Sequence, residues 1–360
     1  MLRKIPIIQD RQFRPDPKIF AVKQLQGKIC LSPYVSAEIG LEGNVRLCGC
    51  AEWMPTVVGN IMEESLTEIL SKPLSQEIRA SIRDGKYQFC NEQRCGIMAN
   101  DLLNTRDNIP PAVSKIIDDP RQFLLPREII LAGDIVCNLS CPSCRTEIIK
   151  KNHDTAARDN EVAHTIATNL FSEPTDQELR LFLSTSGELF ASRTLMTLVS
   201  NLDPVQLPNL RLKIQTNGVL MPSRWHRLER MQDRVESVTV TIDAARPDTY
   251  ERLRRGAQWH QIVNAMSWLA KKKQTSGIKV HTRMIAQQSN YLEIEEFYNW
   301  SMSHNADIVE YSRILDWGTF NGRFFDHDVF DHRHPEYRNA MNELAKVNHF
   351  DNVYRFGGLQ

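Results

Sequence analysis

The chain has 360 residues, 41% of them hydrophobic, and its 44 basic side chains balance 44 acidic ones. That length accommodates one large domain or two smaller ones, and the balance leaves no overall field to recruit nucleic acid or an anionic membrane. No apolar run approaches the roughly 18 residues of a membrane span, and Met1-Leu2-Arg3-Lys4-Ile5-Pro6 has no apolar stretch behind its charges, so neither a membrane helix nor a signal peptide is expected. Eight cysteines without an export signal read as metal ligands in a reducing cytoplasm rather than as a disulfide framework.

Those cysteines fall into two groups, five between Cys30 and Cys95 and three between Cys137 and Cys144. In the first group Cys30 precedes Ala37 to Cys50, where apolar alternation flanks Glu42-Gly43-Asn44, a β-hairpin signal. Cys48 and Cys50 follow the hairpin, then Val58-Gly59-Asn60-Ile61 and helices predicted over Ser65–Leu70 and Ser75–Asp84. Cys90 and Cys95 close the region. Prolines 110, 111, 120 and 126 mark residues 101–126 as a linker with one helix.

From Arg127 short apolar runs alternate with amphipathic stretches, which predicts an α/β fold with a parallel sheet. The strands are expected at Glu128–Val136, Leu179–Ser184, Leu210–Thr216, Val235–Asp243, Ile278–Ala286 and Ile308–Ile314. Helices are expected at Asn160–Phe171, Ser192–Val199, Ser223–Met231, Pro247–Arg254, Trp259–Lys272 and Leu292–His304. Residues 323–360 read as a helical tail with a helix over Glu336–Val347. Its His327, His332 and His334 read as a solvated turn rather than a metal site.

The first strand runs into Cys137-Asn138-Leu139-Ser140-Cys141-Pro142-Ser143-Cys144. Thiolates are soft ligands that favour iron–sulfur clusters or zinc. Three ligands leave one iron of a four-iron cluster open, as a catalytic centre requires. This spacing, after a first β-strand, resembles the cluster loop of the radical S-adenosylmethionine (SAM) enzymes. The resemblance implies a partial (β/α)6 barrel whose strand ends carry the site. It also implies a [4Fe-4S] cluster on Cys137, Cys141 and Cys144 with SAM chelating the open iron. One-electron cleavage of SAM then gives a 5'-deoxyadenosyl radical that abstracts a substrate hydrogen.

Later strand ends extend the resemblance. Ser186-Gly187-Glu188 is similar to the family's Gly-Gly-Glu segment, with Ser186 in place of the first glycine, and implies backbone contacts to the SAM amino group. Thr216-Asn217-Gly218 matches a Thr-Asn-Gly turn, and Thr241-Ile242-Asp243 resembles a Ser-Ile-Asp segment beside the ribose or carboxylate. Tyr250 to Gly256 resembles a Tyr-x3-Arg-x-Gly stretch in which Arg254, rather than Arg255, pairs with the SAM carboxylate. Gln287-Gln288-Ser289-Asn290 is similar to a Gln-x2-Asn turn near the adenosine. Asp316, after the sixth strand, is either a substrate contact or base, or a plain turn residue.

The first cysteine group resembles a SPASM-type auxiliary cluster domain, here placed before the barrel. That likeness implies one auxiliary [4Fe-4S] cluster on Cys30, Cys48, Cys90 and Cys95, with Cys50 in place of Cys48 or spare; zinc on four thiolates is the alternative. The expected organisation is residues 1–100 auxiliary domain, 101–126 linker, 127–322 barrel and 323–360 tail. The function implied is a radical SAM oxidoreductase or maturase of a ribosomally made peptide, reduced by a flavodoxin, ferredoxin or reductase, with no membrane or nucleic-acid partner. A radical dehydrogenase or epimerase of a sugar or other small molecule is the second reading, and a non-catalytic iron–sulfur or zinc scaffold the third.

Overall fold

The computed structural model describes residues 25–40, 43–51, 53–92, 95–99, 101–119, 121–123, 125–132, 134–150, 156–171, 176–183, 186–357 and 359. The predicted hairpin tip at Leu41 and Glu42, the strand end at Ser184 and Thr185, and Gly133 before the cysteine loop lie outside them. The described residues pack as two units, one drawn from 1–130 and 168–172, the other from 131–167 and 173–360.

The first unit holds β1 (Lys28–Ile29), β2 (Ser36–Ile39), β3 (Asn44–Arg46), β4 (Gly59–Asn60) and β5 (Asn104–Thr105). The predicted hairpin is present: β2 and β3 pair antiparallel with Ile39 opposite Val45, and β4 adds to β3. The helix Leu66–Ser71 starts at Ser65, whose hydroxyl and the Glu68 carboxylate satisfy each other's backbone N–H groups. The next helix, Pro73–Arg83, opens on a proline, where a missing N–H costs nothing, and buries Ile78 and Ile82. Residues 101–126 do more than link. Their β5 pairs antiparallel with β1, and their helix Pro111–Asp118 buries Val113, Ile116 and Ile117.

A strand β6 (Glu128–Leu131) stops five residues short of the expected Val136. The Asp134 side chain explains the early end, because its Oδ1 accepts the Val136 N–H at 3.1 Å and turns the chain out of extension.

The second unit is built on β7 (Leu179–Leu183), β8 (Leu210–Thr216), β9 (Val235–Thr241), β10 (Lys279–Ala286), β11 (Ile308–Arg313) and β12 (Val353–Phe356). Each pairs in parallel with the next, in chain order. Consecutive parallel strands wind in one direction, the connectivity of a (β/α) barrel rather than of a doubly wound sheet. Every strand end therefore faces the same way.

Parallel sheets covered on both faces read as continuous apolar runs. These strands alternate instead. Leu179, Leu181, Leu210, Leu212, Ile214, Val238, Val240, Val280 and Met284 are buried on one face. The other carries Arg180 and Lys213 on Glu236, at 3.2 and 3.7 Å, and Arg283 between Glu310 and Gln215. A barrel with a polar interior has that pattern.

Three expectations change. The segment after β8 is a short helix, Met221–Arg224, followed by a 3-10 stretch, Trp225–Arg234. Its buried residues Trp225, Leu228 and Met231 recur every third position, which suits three residues per turn rather than 3.6. Strand β9 ends at Thr241 because Asp243 takes a left-handed φ of 68°. The tail is not only helical. After the helix Tyr337–Ala345, β12 pairs in parallel with β11, Val353 beside Val309, adding a strand that its four residues were too few to announce.

Candidate active site

The cysteine loop leaves the chain between β6 and β7 and is held from the strand ends. A Cβ added at Gly187 would stand 2.5 Å from the Asp134 carbonyl oxygen and 2.6 Å from that of Val136. The Glu188 N–H also donates to Val136 O at 2.8 Å. The close approach that requires glycine here is to the loop's own backbone. Ser192, the N-cap of the helix Arg193–Asn201, accepts the Leu195 N–H and donates to Asp134 Oδ2 at 2.6 Å.

Each thiol of the trio has a polar neighbour. Cys137 Sγ accepts the Leu139 N–H at 3.5 Å and Asn217 Nδ2 at 3.8 Å. Cys141 Sγ accepts Arg254 Nη1 at 3.7 Å, and Cys144 Sγ accepts Arg145 Nη2 at 3.3 Å. Cys137 and Cys141 are buried while Cys144 is exposed. Burial pushes the Cys137 and Cys141 thiols up. Arg145 also donates to Ile135 O at 2.7 Å and Ser186 O at 3.0 Å. Neither Arg145 nor Asp134 stood out in the sequence, since a lone arginine or aspartate in a loop has no periodicity to mark it.

Glu188 is buried. Its Oε1 accepts Thr216 Oγ1 at 2.7 Å and the Phe190 N–H at 3.1 Å, and its Oε2 accepts the Asn217 N–H at 2.7 Å. Burial raises its pKa against those three hydrogen bonds. The Asn217 side chain continues the tie to Asn138 Oδ1 at 2.9 Å. Glu188, Thr216 and Asn217 therefore join the ends of β7 and β8 to the cysteine loop.

Asp243 and Arg254 form a buried pair at 2.9 Å, and Asp243 Oδ1 accepts the Ile285 N–H at 2.8 Å. Burial raises the Asp243 pKa, with Arg254 opposing it. Burial works against the Arg254 charge, but Asp243 and Cys141 outweigh it and the net shift is upward. Arg255 holds the same loop by its flank, through Ser140 Oγ at 3.1 Å and Thr146 O at 2.9 Å. Asn290 Nδ2 donates to Asp243 O and Ile285 O, and its Oδ1 accepts the Gln287 N–H at 2.8 Å. This asparagine stitches the ends of β9 and β10. Thr241 is buried at the end of β9. Asp316 is exposed and accepts the Gly318 N–H at 2.8 Å, a contact of the Asx-turn kind. His334 Nδ1 accepts the Glu336 N–H, and His327 stacks on Phe320 with centroids 4.0 Å apart.

In the first unit Cys30, Cys48, Cys90 and Cys95 line one largely enclosed, apolar cavity with Trp53 and Tyr87. Cys50 is not in its lining; its N–H donates to the Cys48 sulfur. Burial pushes all four lining thiols up, and for Cys30, Cys48 and Cys90 repulsion from neighbouring thiolates adds to it. Thiolates so placed require cationic metal to become stable ligands. Among the described residues no three His, Cys, Asp or Glu side chains close on one point as around a single ion; a cage of four irons spreads its ligands farther apart than one ion does.

Residues 135–301 match the Radical SAM superfamily, and residues 30–96 match the iron–sulfur cluster-binding domain SPASM. The chain belongs to the radical SAM superfamily. Its radical SAM domain follows the SPASM domain, and its cofactors are iron–sulfur clusters and SAM. A GTP 3',8-cyclase of Alkaliphilus metalliredigens (strain QYMF) is 24% identical over 176 residues, 48% of this chain and 52% of that one. The chain thus matches about half the length of that curated relative. Streptococcus suis SuiB bound to S-adenosylmethionine is similar at 12% identity and a TM-score of 0.44, over 72% of this chain and 58% of that one. The same protein bound to precursor peptide SuiA gives 12% and 0.45, over 79% and 62%.

The radical SAM domain fits its cofactor on grounds of its own. The Tyr250 hydroxyl, Arg254 Nε and Gln287 Nε2 are buried without a hydrogen-bond partner among the described residues. Such atoms cost about 1–3 kcal/mol each unless a ligand meets them. Tyr250 and Arg254 stand near Cys141, and Gln287 lies in the turn that Asn290 closes. A zwitterionic nucleoside has the donors and acceptors to satisfy them.

Proposed function

We propose that this radical SAM enzyme is an oxidoreductase that modifies a ribosomally made peptide. When bound, the cluster and SAM supply one-electron cleavage of the sulfonium and hydrogen-atom abstraction from the substrate. Cys137, Cys141 and Cys144 hold the cluster, with Asn217, Arg254 and Arg145 donating to their sulfurs. Ser186 and Gly187 offer backbone groups beside the loop, and Thr241, Asp243, Arg254, Gln287 and Asn290 shape the cofactor's other side. The polar inner face of β7 to β11 takes the substrate, and the buried Tyr250 and Leu139 keep water from the sulfur end.

Cys30, Cys48, Cys90 and Cys95 hold one auxiliary cluster, the feature that carries the reading of a net oxidation. The observation behind it is four thiols around a single apolar cavity, in a domain apart from the trio. SPASM domains accompany peptide-modifying enzymes, which favours a peptide substrate.

The experiment is anaerobic reconstitution with iron and sulfide, then dithionite and SAM, with 5'-deoxyadenosine as the readout. Wild type should bind about eight irons and release deoxyadenosine; the Cys137→Ala, Cys141→Ala, Cys144→Ala variant should bind about four and release none. Stimulation by the peptide fraction of a cell extract supports the peptide reading. Stimulation only by the small-molecule filtrate supports the second reading, a radical enzyme acting on a small molecule, which the partial likeness to a GTP 3',8-cyclase favours.

A further inference from the structure

The Arg145 guanidinium stands out among the groups around the trio. It is buried, and its bonds run to Ile135 O at 2.7 Å, Ser186 O at 3.0 Å and Cys144 Sγ at 3.3 Å. Its electrostatic neighbours are the sulfurs of Cys144, Cys137 and Cys141, and among the described residues no carboxylate pairs with it. The other groups hydrogen-bonded to these sulfurs bring no net charge, and the buried Glu188 carboxylate, held by Thr216 and Asn217, acts on Cys137 with the opposite sign. Arg254, on Cys141, is neutralised by Asp243 at 2.9 Å, and Asn217, on Cys137, is neutral. Two carbonyls fix where the Arg145 charge sits, so it is held at the sulfur rather than drifting to solvent.

We infer that Arg145 sets the reduction potential of the cluster on Cys137, Cys141 and Cys144, an inference that rests on the radical SAM reading of that loop. Reduction adds one electron and no proton, so one negative charge is added to the sulfur cage while Arg145 stays protonated throughout. Net charge, hydrogen bonds to sulfur and solvent exposure are the protein's levers on such potentials. A buried cation with no carboxylate partner of its own, bonded to a ligand sulfur, favours the reduced state. It raises the potential of a centre that is otherwise hard to reduce. Arg145 is thus a positioning residue in two respects, fixing charge at Cys144 and fixing the Ser186 carbonyl.

The test is an EPR-monitored redox titration, with dithionite as reductant, of the anaerobically reconstituted full chain. The trio's signal is identified as the one that changes when SAM is added. Arg145→Gln should lower the reduced-to-oxidised ratio at a fixed potential at least tenfold, about 59 mV for one electron. Arg145→Lys should stay within threefold of wild type, since it keeps the charge. Arg255→Gln, which loosens the loop at Ser140 and Thr146 without touching sulfur, should leave the potential unchanged.

A SAM-responsive signal at unchanged potential in Arg145→Gln overturns the inference. So does an equal shift in Arg255→Gln, which would make loop position the cause. Should Arg145→Gln lose the trio's iron, Arg145→Lys decides: full iron at the wild-type potential supports the role of charge, and a tenfold shift overturns it. Absence of any SAM-responsive signal in wild type would instead sink the radical SAM reading of the loop.

Discussion

Gly187 lies so close to Asp134 that a Cβ on the glycine would stand 2.5 Å from the aspartate's carbonyl oxygen. The obstacle is backbone, as it is at Val136 O, and no rotamer change relieves it. Gly187→Ala must displace the chain just before Cys137. The expected cost is about 1–3 kcal/mol, together with loss of about half of the reconstituted iron, measured by denaturation and by iron analysis. Full iron content in the variant would show that the loop yields without disturbing the thiols.

Ser192 serves two partners with one hydroxyl, Leu195 N at 3.0 Å and Asp134 Oδ2 at 2.6 Å. Ser192→Ala removes the cap of the helix Arg193–Asn201 and one bond from a buried carboxylate. Urea unfolding should show a loss of about 1–3 kcal/mol. Ser192→Thr should recover most of it.

Glu310 is buried between Arg283, whose Nε stands 2.7 Å from Oε2, and His281, whose Nδ1 lies 2.8 Å from Oε1. Burial pushes its pKa up, but the bonds to His281 and Arg283 outweigh it and the net shift is downward. An acid with a depressed folded pKa contributes stability that is present above its unfolded value, about 4.3, and lost as pH falls through the folded one. Glu310→Gln should therefore cost about 1.5–3 kcal/mol at pH 7, and the gap to wild type should narrow below about pH 4. Unfolding curves at the two pH values check this; a gap that widens in acid would reverse the sign.

Cys48 lines the four-thiol cavity and Cys50 does not. Cys48→Ser should lose about four of about eight irons, whereas Cys50→Ser should keep them. The reverse pattern would assign the ligand to Cys50.

Much of this was legible along the chain. Hairpin, strands and most helices follow from alternation and 3.6-residue periodicity, which depend on neighbours a few positions away. The predicted strand Leu210–Thr216 matches β8 at both ends, because its apolar alternation and the Asn217-Gly218 turn mark its limits. Elements shaped by distant contacts departed: the 3-10 stretch Trp225–Arg234, the curtailed β6 and the added β12.

Site residues divide in the same way. The cysteine spacings specify a soft-metal site by themselves, since ligand type and loop length are local properties. What tertiary structure decided is which groups those residues spend their bonds on. Glu188 closes on Thr216 and Asn217, and Asn290 closes on Asp243 and Ile285, partners 28 to 47 residues away for all but the last. Arg145 meets Ser186 across 41 residues, and Arg254 meets Cys141 across 113. Such pairs exist only once parallel crossovers bring successive strand ends to one face, so the sequence marked the candidate ligands and the fold decided the charges around them.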